Sequence, residues 1–296
     1  MDPQEIQVWQ DAFGDHCRRV VSVSVILWDY FITLDDEWEF FWKRGPWTAV
    51  TFLFLWGRYV GILLTGFGAL TVVMSKSSDP VRYSWLRIQT WFAISISWST
   101  QAILQLRIYA LYEASPRIGA LLLVAFTSEV LVAIVVFSIA SVKTKTVAGS
   151  VPGTNLVRCN VTATPDWLWV HWLALTAFEF LLCGLAAYKG YQRLRSIRGR
   201  NLFEILVRDS VMYYMLVQII YASNLISWAK VPTANLDAVN GFAVAFPVVL
   251  TSRMVINIRR LLPTPEIPFA VSLLDFSLGQ TSLASPPTLE TPDSHG

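Results

Sequence analysis

Long apolar runs separated by short polar segments dominate the chain. A helix needs roughly 20 mostly apolar residues to cross a membrane, and several runs approach that length. They occupy residues 18–35, 47–74, 86–110, 118–141, 167–188, 206–229 and 236–257. Short strands of alternating polarity, which would indicate a membrane β-barrel, do not appear in this pattern. The pattern therefore predicts an all-α polytopic membrane protein with a bundle of seven transmembrane helices.

The composition supports this class. Of the 296 residues, 54% are hydrophobic and 15% are charged. A soluble domain of this length would carry more polar surface, whereas the many aromatic residues suit the two interfaces of a bilayer. A net charge of +2 does not indicate a nucleic-acid partner. We expect a lipid bilayer around the protein, either the plasma membrane or a membrane of the secretory pathway.

Basic residues set the predicted orientation, because cytosolic loops are enriched in Lys and Arg. With the N-terminus outside, 13 of the 23 bases fall in or beside the cytosolic segments. The basic segment 189–208 decides this count. The sequon that begins at Asn160 then lies outside, in the loop 142–166, which makes Asn160 a glycosylation candidate. The C-terminus is predicted to be cytosolic.

The sequence predicts three parts along the chain. We predict an extracellular N-terminus at 1–17 and a membrane domain at 18–261. The remaining segment, 262–296, is rich in Pro, Ser and Thr and is predicted to be a disordered cytosolic tail.

The cysteines allow one disulfide at most. Cys17 and Cys159 both map to the outer side, where oxidation is feasible, so a bridge between them is predicted. The spacing of Cys and His residues matches no zinc site, and neither a metal nor a cofactor is expected.

An acidic-aromatic segment follows the first apolar run. We interpret it as the first cytosolic loop, within 36–46, in which the carboxylates stop the helix and the Trp residues mark the interface. The alternative is a docking surface for a cytosolic signalling partner. The residues that carry this signature are Asp35, Asp36, Glu37 and Trp42.

The stretch DYFITLDDEWEFFW, from Asp29 to Trp42, together with the pair Arg58-Tyr59, resembles the opening signature of a known family. It is a large family of fungal, mainly basidiomycete, membrane proteins of unknown function. The later segments LRIYALY, RDSVMYYM and SRMVINIRR are similar to it as well. The resemblance implies seven spans, and it brings no catalytic residues.

Charged side chains in hydrocarbon are costly, so each is a candidate for a function. Arg58, Glu129 and Glu179 are predicted near the middle of the membrane, and Asp29 is within reach of Arg58. One reading is a buried site for a ligand or a proton. The other is a structural ion pair that fixes helix register, with Asp29, Glu129 and Glu179 as candidate partners of Arg58.

The third span adds uncharged polar groups. Ser97, Gln101 and Gln105 follow one another at a spacing of four, which places them on one helical face. We expect this face to point into the bundle and to form hydrogen bonds there.

The function classes narrow accordingly. No motif for nucleotide binding, serine hydrolysis or zinc hydrolysis appears, so we expect no enzyme. The leading hypothesis is a receptor-like or sensor-like protein with an unknown small-molecule ligand. A transporter or channel that uses Arg58, Glu129 and Glu179 is the alternative, and a membrane scaffold without a ligand is the third hypothesis.

Overall fold

A computed structural model describes residues 3–43, 47–73, 79–143, 145–150, 157–163, 165, 167–196, 202–230 and 237–261. At several helix ends and in both strands it describes the backbone alone. The predicted tail at 262–296 lies outside the described residues. The helices are α1 (Pro3–Glu37), α2 (Ala49–Leu55), α3 (Gly61–Val73), α4 (Asp79–Leu111), α5 (Pro116–Lys143), α6 (Trp169–Ser196), α7 (Leu202–Lys230) and α8 (Asp237–Leu261).

Two π-helical turns interrupt this series. One, Trp38–Lys43, continues α1, and the other, Trp56–Val60, joins α2 to α3 without a break. A π-turn carries one residue more than an α-turn, so it rotates the following side chains around the helix axis. The two turns matter because they frame the buried charges described below.

One segment of the described chain, between α5 and α6, forms β-strands. Strands β1 (Lys145–Ser150) and β2 (Val157–Ala163) form an antiparallel hairpin in which Val147 pairs with Asn160. The helical class is confirmed, and this short hairpin between α5 and α6 is an addition to it that the sequence pattern did not predict. β-Branched residues recur in both strands and favour extended backbone, but a search for apolar runs passes over them.

In the part of the chain that the structure describes, five helical segments are long and apolar enough to cross a membrane, which confirms a multi-pass membrane protein. They are Ala49–Gly68, Pro116–Lys143, Trp169–Gln192, Val211–Ala229 and Gly241–Arg260. The other two predicted spans, 18–35 and 86–110, lie within the long helices α1 and α4. Both helices contain more polar residues than the five segments named above, which lowers their average hydropathy.

The core lies where α2, α4, α6, α7 and α8 meet. Phe54, Leu104 and Phe178 are among its almost fully buried side chains, with Val255 on α8. The hydroxyl of the buried Tyr214 donates to the carbonyl oxygen of Leu104 at 2.9 Å. Helices in a membrane lack a strong hydrophobic drive to associate, so such polar contacts help to fix their packing.

Candidate functional site

Arg58 lies at the centre of a buried ion network. Its Nε atom is 2.7 Å from Oε2 of Glu37, and its Nη1 atom is 3.7 Å from Oδ2 of Asp29. Its Nη2 atom donates to Thr33 Oγ1 at 2.6 Å and to the carbonyl oxygen of Tyr30 at 3.2 Å. Arg58, Asp29 and Glu37 are each at most 3% exposed, so the guanidinium is held almost entirely by α1.

The sequence explains why α1 presents these groups together. Asp29, Thr33 and Glu37 are spaced by four, which puts them on one face of the helix. Arg58 reaches that face from the π-helical turn Trp56–Val60. Next to it, a Cβ on Gly57 would lie 3.2 Å from Ser99 Oγ, so glycine allows α4 to approach closely.

Further contacts complete the network. Arg253 on α8 donates from Nε to Oδ1 of Asp29 at 2.6 Å. Oε1 of Glu37 accepts from Tyr59 at 2.6 Å and from the indole of Trp42 at 3.0 Å. Two acids thus face two bases, and the network carries no net charge.

The part of the chain that builds most of this network also shows a likeness to known sequences. Residues 17–63 match the family of unknown function DUF6533. The matched segment contains Asp29, Glu37 and Arg58, whereas Arg253 lies beyond it. A comparison with curated proteins gave no match. The likeness points to no activity, and a fungal origin stays a prediction.

The network tests the predicted partners of Arg58. Asp29 is confirmed as a partner, while Glu129 and Glu179 are elsewhere. Glu37 was wrongly assigned to a solvated loop; it is fully buried because α1 remains helical through Glu37 and the π-turn continues it.

The rest of the acidic-aromatic signature lies nearer the surface. Asp36 forms an ion pair with Arg260 at the end of α8, and its Oδ1 atom is 3.2 Å from Nε. Asp35 is exposed. The indole of Trp42 is partly exposed while it donates to Glu37. The signature is therefore a continuous helical stretch in which Asp36 pairs with α8, and not a free loop.

A cavity of about 350 Å³ opens within the bundle, beyond the ion network toward the N-terminal half of α1. Sequence analysis missed it, because seven helices, together with Leu168 just before α6, contribute its wall. Most of the lining is apolar or aromatic. The large side chains and the polar groups of the wall include Trp91, Phe137, Trp172, Tyr221, Trp228, Arg19, Ser22, Arg87, Ser97, Thr100 and His171.

His171 is the most unusual group in this wall. It is 7% exposed, and its Nδ1 atom has no hydrogen-bond partner among the described residues. Its ring meets Phe137 edge-on at 4.7 Å and Trp172 at 5.6 Å between centroids. A buried polar atom of this kind costs free energy unless something pairs with it, so it is a candidate contact for a ligand.

Polar groups continue below the cavity. On α4, Gln101 lies one turn beyond Ser97, and on α6, Glu179 lies one turn beyond the cavity residue Leu175. Gln101 and Glu179 are fully buried side by side, and Glu129 on α5 is within electrostatic range of Glu179. Tyr221 lies between the cavity and this polar group, since its hydroxyl is 3.4 Å from Ser97 Oγ in the cavity wall and it is in electrostatic range of Glu179.

This arrangement tests the predicted polar face of the third span. The face does point into the bundle, since Gln101 is buried and Gln105 is partly buried. Gln101 interacts with the carboxyl group of Glu179, as a polar face inside the bundle predicts, but among the described residues its amide forms no hydrogen bond of ordinary geometry. The amide nitrogen of Gln105 also lacks one.

The remaining predicted sites stand as follows. Cys17 is free and exposed on α1, so its predicted bridge to Cys159 is not formed in this structure. Cys159 and Asn160 lie on β2, where the structure describes the backbone alone. Within the described ranges, no group of three or more His, Cys, Asp or Glu side chains is arranged to hold a metal ion.

Proposed function

We propose that the protein is a seven-span receptor-like or sensor-like membrane protein that binds a small ligand in the cavity. The carrying observation is the cavity itself: about 350 Å³, mostly apolar walls, and a few convergent polar groups. Small-molecule sites have this character and usually this size or more. The ligand class that fits is a compact, largely apolar molecule with one hydrogen-bonding group for His171 or Ser97.

Two observations support seven spans rather than five. On α1 the polar residues Asp29, Thr33 and Glu37 are buried, while Trp28 and Phe31 are among the exposed side chains. On α4 the buried residues include Thr100 and Gln101, whereas Ile88 and Phe92 are exposed on the outside of the helix. Helices that hide polar groups against neighbours and present apolar groups outside suit a bilayer, even though their average composition is polar.

The proposed orientation places the cavity on the outer side. It keeps the N-terminus outside and the C-terminus in the cytosol, as the distribution of bases favours. A ligand then enters from outside, and a cytosolic signalling partner meets the opposite end of the bundle. We propose no catalytic role.

The test is a thermal-shift screen of a small-molecule library on the purified protein in lipid nanodiscs. Ala140→Trp fills the cavity, because Ala140 lines it and is 6% exposed. Ile139→Trp is the matched control, because Ile139 is adjacent to Ala140 on the same helix but faces outward and is 41% exposed. Compounds that stabilise the natural protein should lose their effect in Ala140→Trp and keep it in Ile139→Trp.

Stabilising compounds that tolerate Ala140→Trp would contradict the cavity as the ligand site. If neither ligand binding nor transport is detected, the result favours the hypothesis of a membrane scaffold.

Transport is the second candidate, and one observation favours it: Glu129 and Glu179 are buried, and no base among the described residues pairs with them. Unpaired carboxyl groups at membrane depth mark ion or proton paths in many transporters. Arg58 does not belong to such a path, because its partners already hold it. Uptake of ions or protons into proteoliposomes, lost in Glu179→Gln, would favour transport over sensing.

A further inference from the structure

The described core holds two kinds of buried charge. The network around Arg58 is balanced, with two acids and two bases in contact. The pair Glu129 and Glu179 is different, because no base among the described residues pairs with either carboxyl group, and no hydrogen bond of ordinary geometry reaches their oxygens from the neighbouring Trp98 and Gln101. They are 3% and 0% exposed, respectively.

Two unpaired carboxylates cannot stay together in hydrocarbon at low cost. Removing even one from water costs several kcal/mol, and like charges in electrostatic range repel each other. Glu179 feels Glu129 in this way. Uptake of one positive charge between them would offset their repulsion and reduce the buried charge from two to one.

The neighbouring groups supply oxygen and no fixed positive charge. Gln101, which is fully buried, sits beside Glu179, and its own oxygen lacks a partner. The indole of Trp98 lies beside Glu129. The unpartnered oxygens of this group are therefore both carboxylate oxygens of Glu129, both of Glu179 and the amide oxygen of Gln101.

Other titratable groups face the pair from α6 and α7. Cys183, Tyr214 and Tyr221 are in electrostatic range of Glu179. Thiol and phenol groups are ordinarily neutral at pH 7, so they do not cancel its charge. On α4, the basic residue Arg107 is in electrostatic range of Tyr214.

We propose that Glu129, Glu179 and Gln101 form a binding site for a monovalent cation, Na⁺ or a proton, below the cavity floor. Carboxylate and amide oxygens are the ligands that hard cations prefer. Ca²⁺ takes about six to eight oxygen ligands and Mg²⁺ gives up its water reluctantly, whereas these three side chains supply only the oxygens named above and the described residues offer no third acid. The site needs no cavity ligand, so it stands apart from the proposed receptor function.

The test uses the purified full chain in nanodiscs at constant ionic strength, with Na⁺ replaced stepwise by N-methyl-D-glucamine. If Na⁺ is the cation, the melting temperature rises with Na⁺ and ²²Na⁺ binds to the protein. If a proton is the cation, the melting temperature without Na⁺ falls as the pH rises, because loss of the proton restores the buried charge.

Each response should be lost or strongly reduced in Glu179→Gln and Glu129→Gln. Asp35→Asn is the matched control, because Asp35 is an exposed acid and should keep the response. If a Gln variant fails to fold, Gln101→Leu leaves both acids in place and should weaken the response, and ²²Na⁺ binding needs only the natural protein. A melting temperature indifferent to both cations, or a response that persists in the variants, overturns the proposal.

Discussion

At the scale of single residues, Arg58 decides how the first helices pack. Its guanidinium bridges Glu37 and Asp29 and lies 5.1 Å from the ring centre of Tyr30. Breaking a buried ion pair on one side is strongly destabilising, because the other charge remains buried and unpaired.

We therefore expect Arg58→Leu to lower the stability of the folded protein by about 3–5 kcal/mol. The measurement is folded yield and melting temperature in detergent. Arg117→Leu removes an exposed base and is the control, with little change expected.

Adding Glu37→Leu to Arg58→Leu should recover part of the loss, since it removes the stranded carboxylate. A single variant as stable as the control would show that the network does not hold the bundle together.

Part of this residue-scale picture was readable from the sequence. The cost of a mid-membrane guanidinium predicted a carboxylate partner, and Asp29 fulfils that prediction. Glu37 was missed because the first helix was ended at residue 35. If the predicted helix had continued to residue 37, the spacing of Asp29, Thr33 and Glu37 would have shown that they share one face.

At the scale of elements, the extents of the later helices were predictable because their apolar runs are long and have clear breaks. The first helix begins at Pro3 rather than near residue 18, since its polar first turns leave no apolar signal. The π-turns were not predictable, because tertiary contacts around Arg58 select them over ordinary α-turns.

The segment Trp56–Val60 gives an element-scale prediction. Gly57→Ala places a Cβ about 3.2 Å from Ser99 Oγ, whereas Gly66→Ala in α3 meets nothing within 4 Å. Both changes gain about 1 kcal/mol of helix propensity. We expect the melting temperature of Gly57→Ala to fall below that of Gly66→Ala, because only the first must push α4 away.

Adding Ser99→Ala should narrow the difference between the two variants, since it removes the oxygen in contact. If the gap is unchanged in the double variant, the close approach of α4 is not what requires glycine.

At the scale of the whole molecule, the membrane class followed from hydropathy alone, but the cavity did not. Its wall combines residues far apart in sequence, such as Ser22, Phe137 and Gly241. No local pattern marks such residues, and only the packing of the helices brings them together.

The proposed orientation can be checked at the free thiol of Cys17. In a chain with Cys159→Ser and Cys183→Ser, a membrane-impermeant maleimide should label Cys17 on intact cells, because its side chain is exposed and placed outside. The control is Glu113→Cys in a chain without other cysteines, on the exposed turn between α4 and α5, which should react only after permeabilisation. The opposite pattern would invert the orientation.

The unequal distribution of buried charge has a consequence for the response of the protein to voltage. The balanced network around Arg58 carries no net charge, so a membrane potential exerts little net force on it. Glu129 and Glu179 lie near the middle of Pro116–Lys143 and Trp169–Gln192. A charge that reaches them crosses about half of the field, worth about 1 kcal/mol per 100 mV. Occupancy of the acid pair would then follow the electrical state of the cell, with no charged helix having to move.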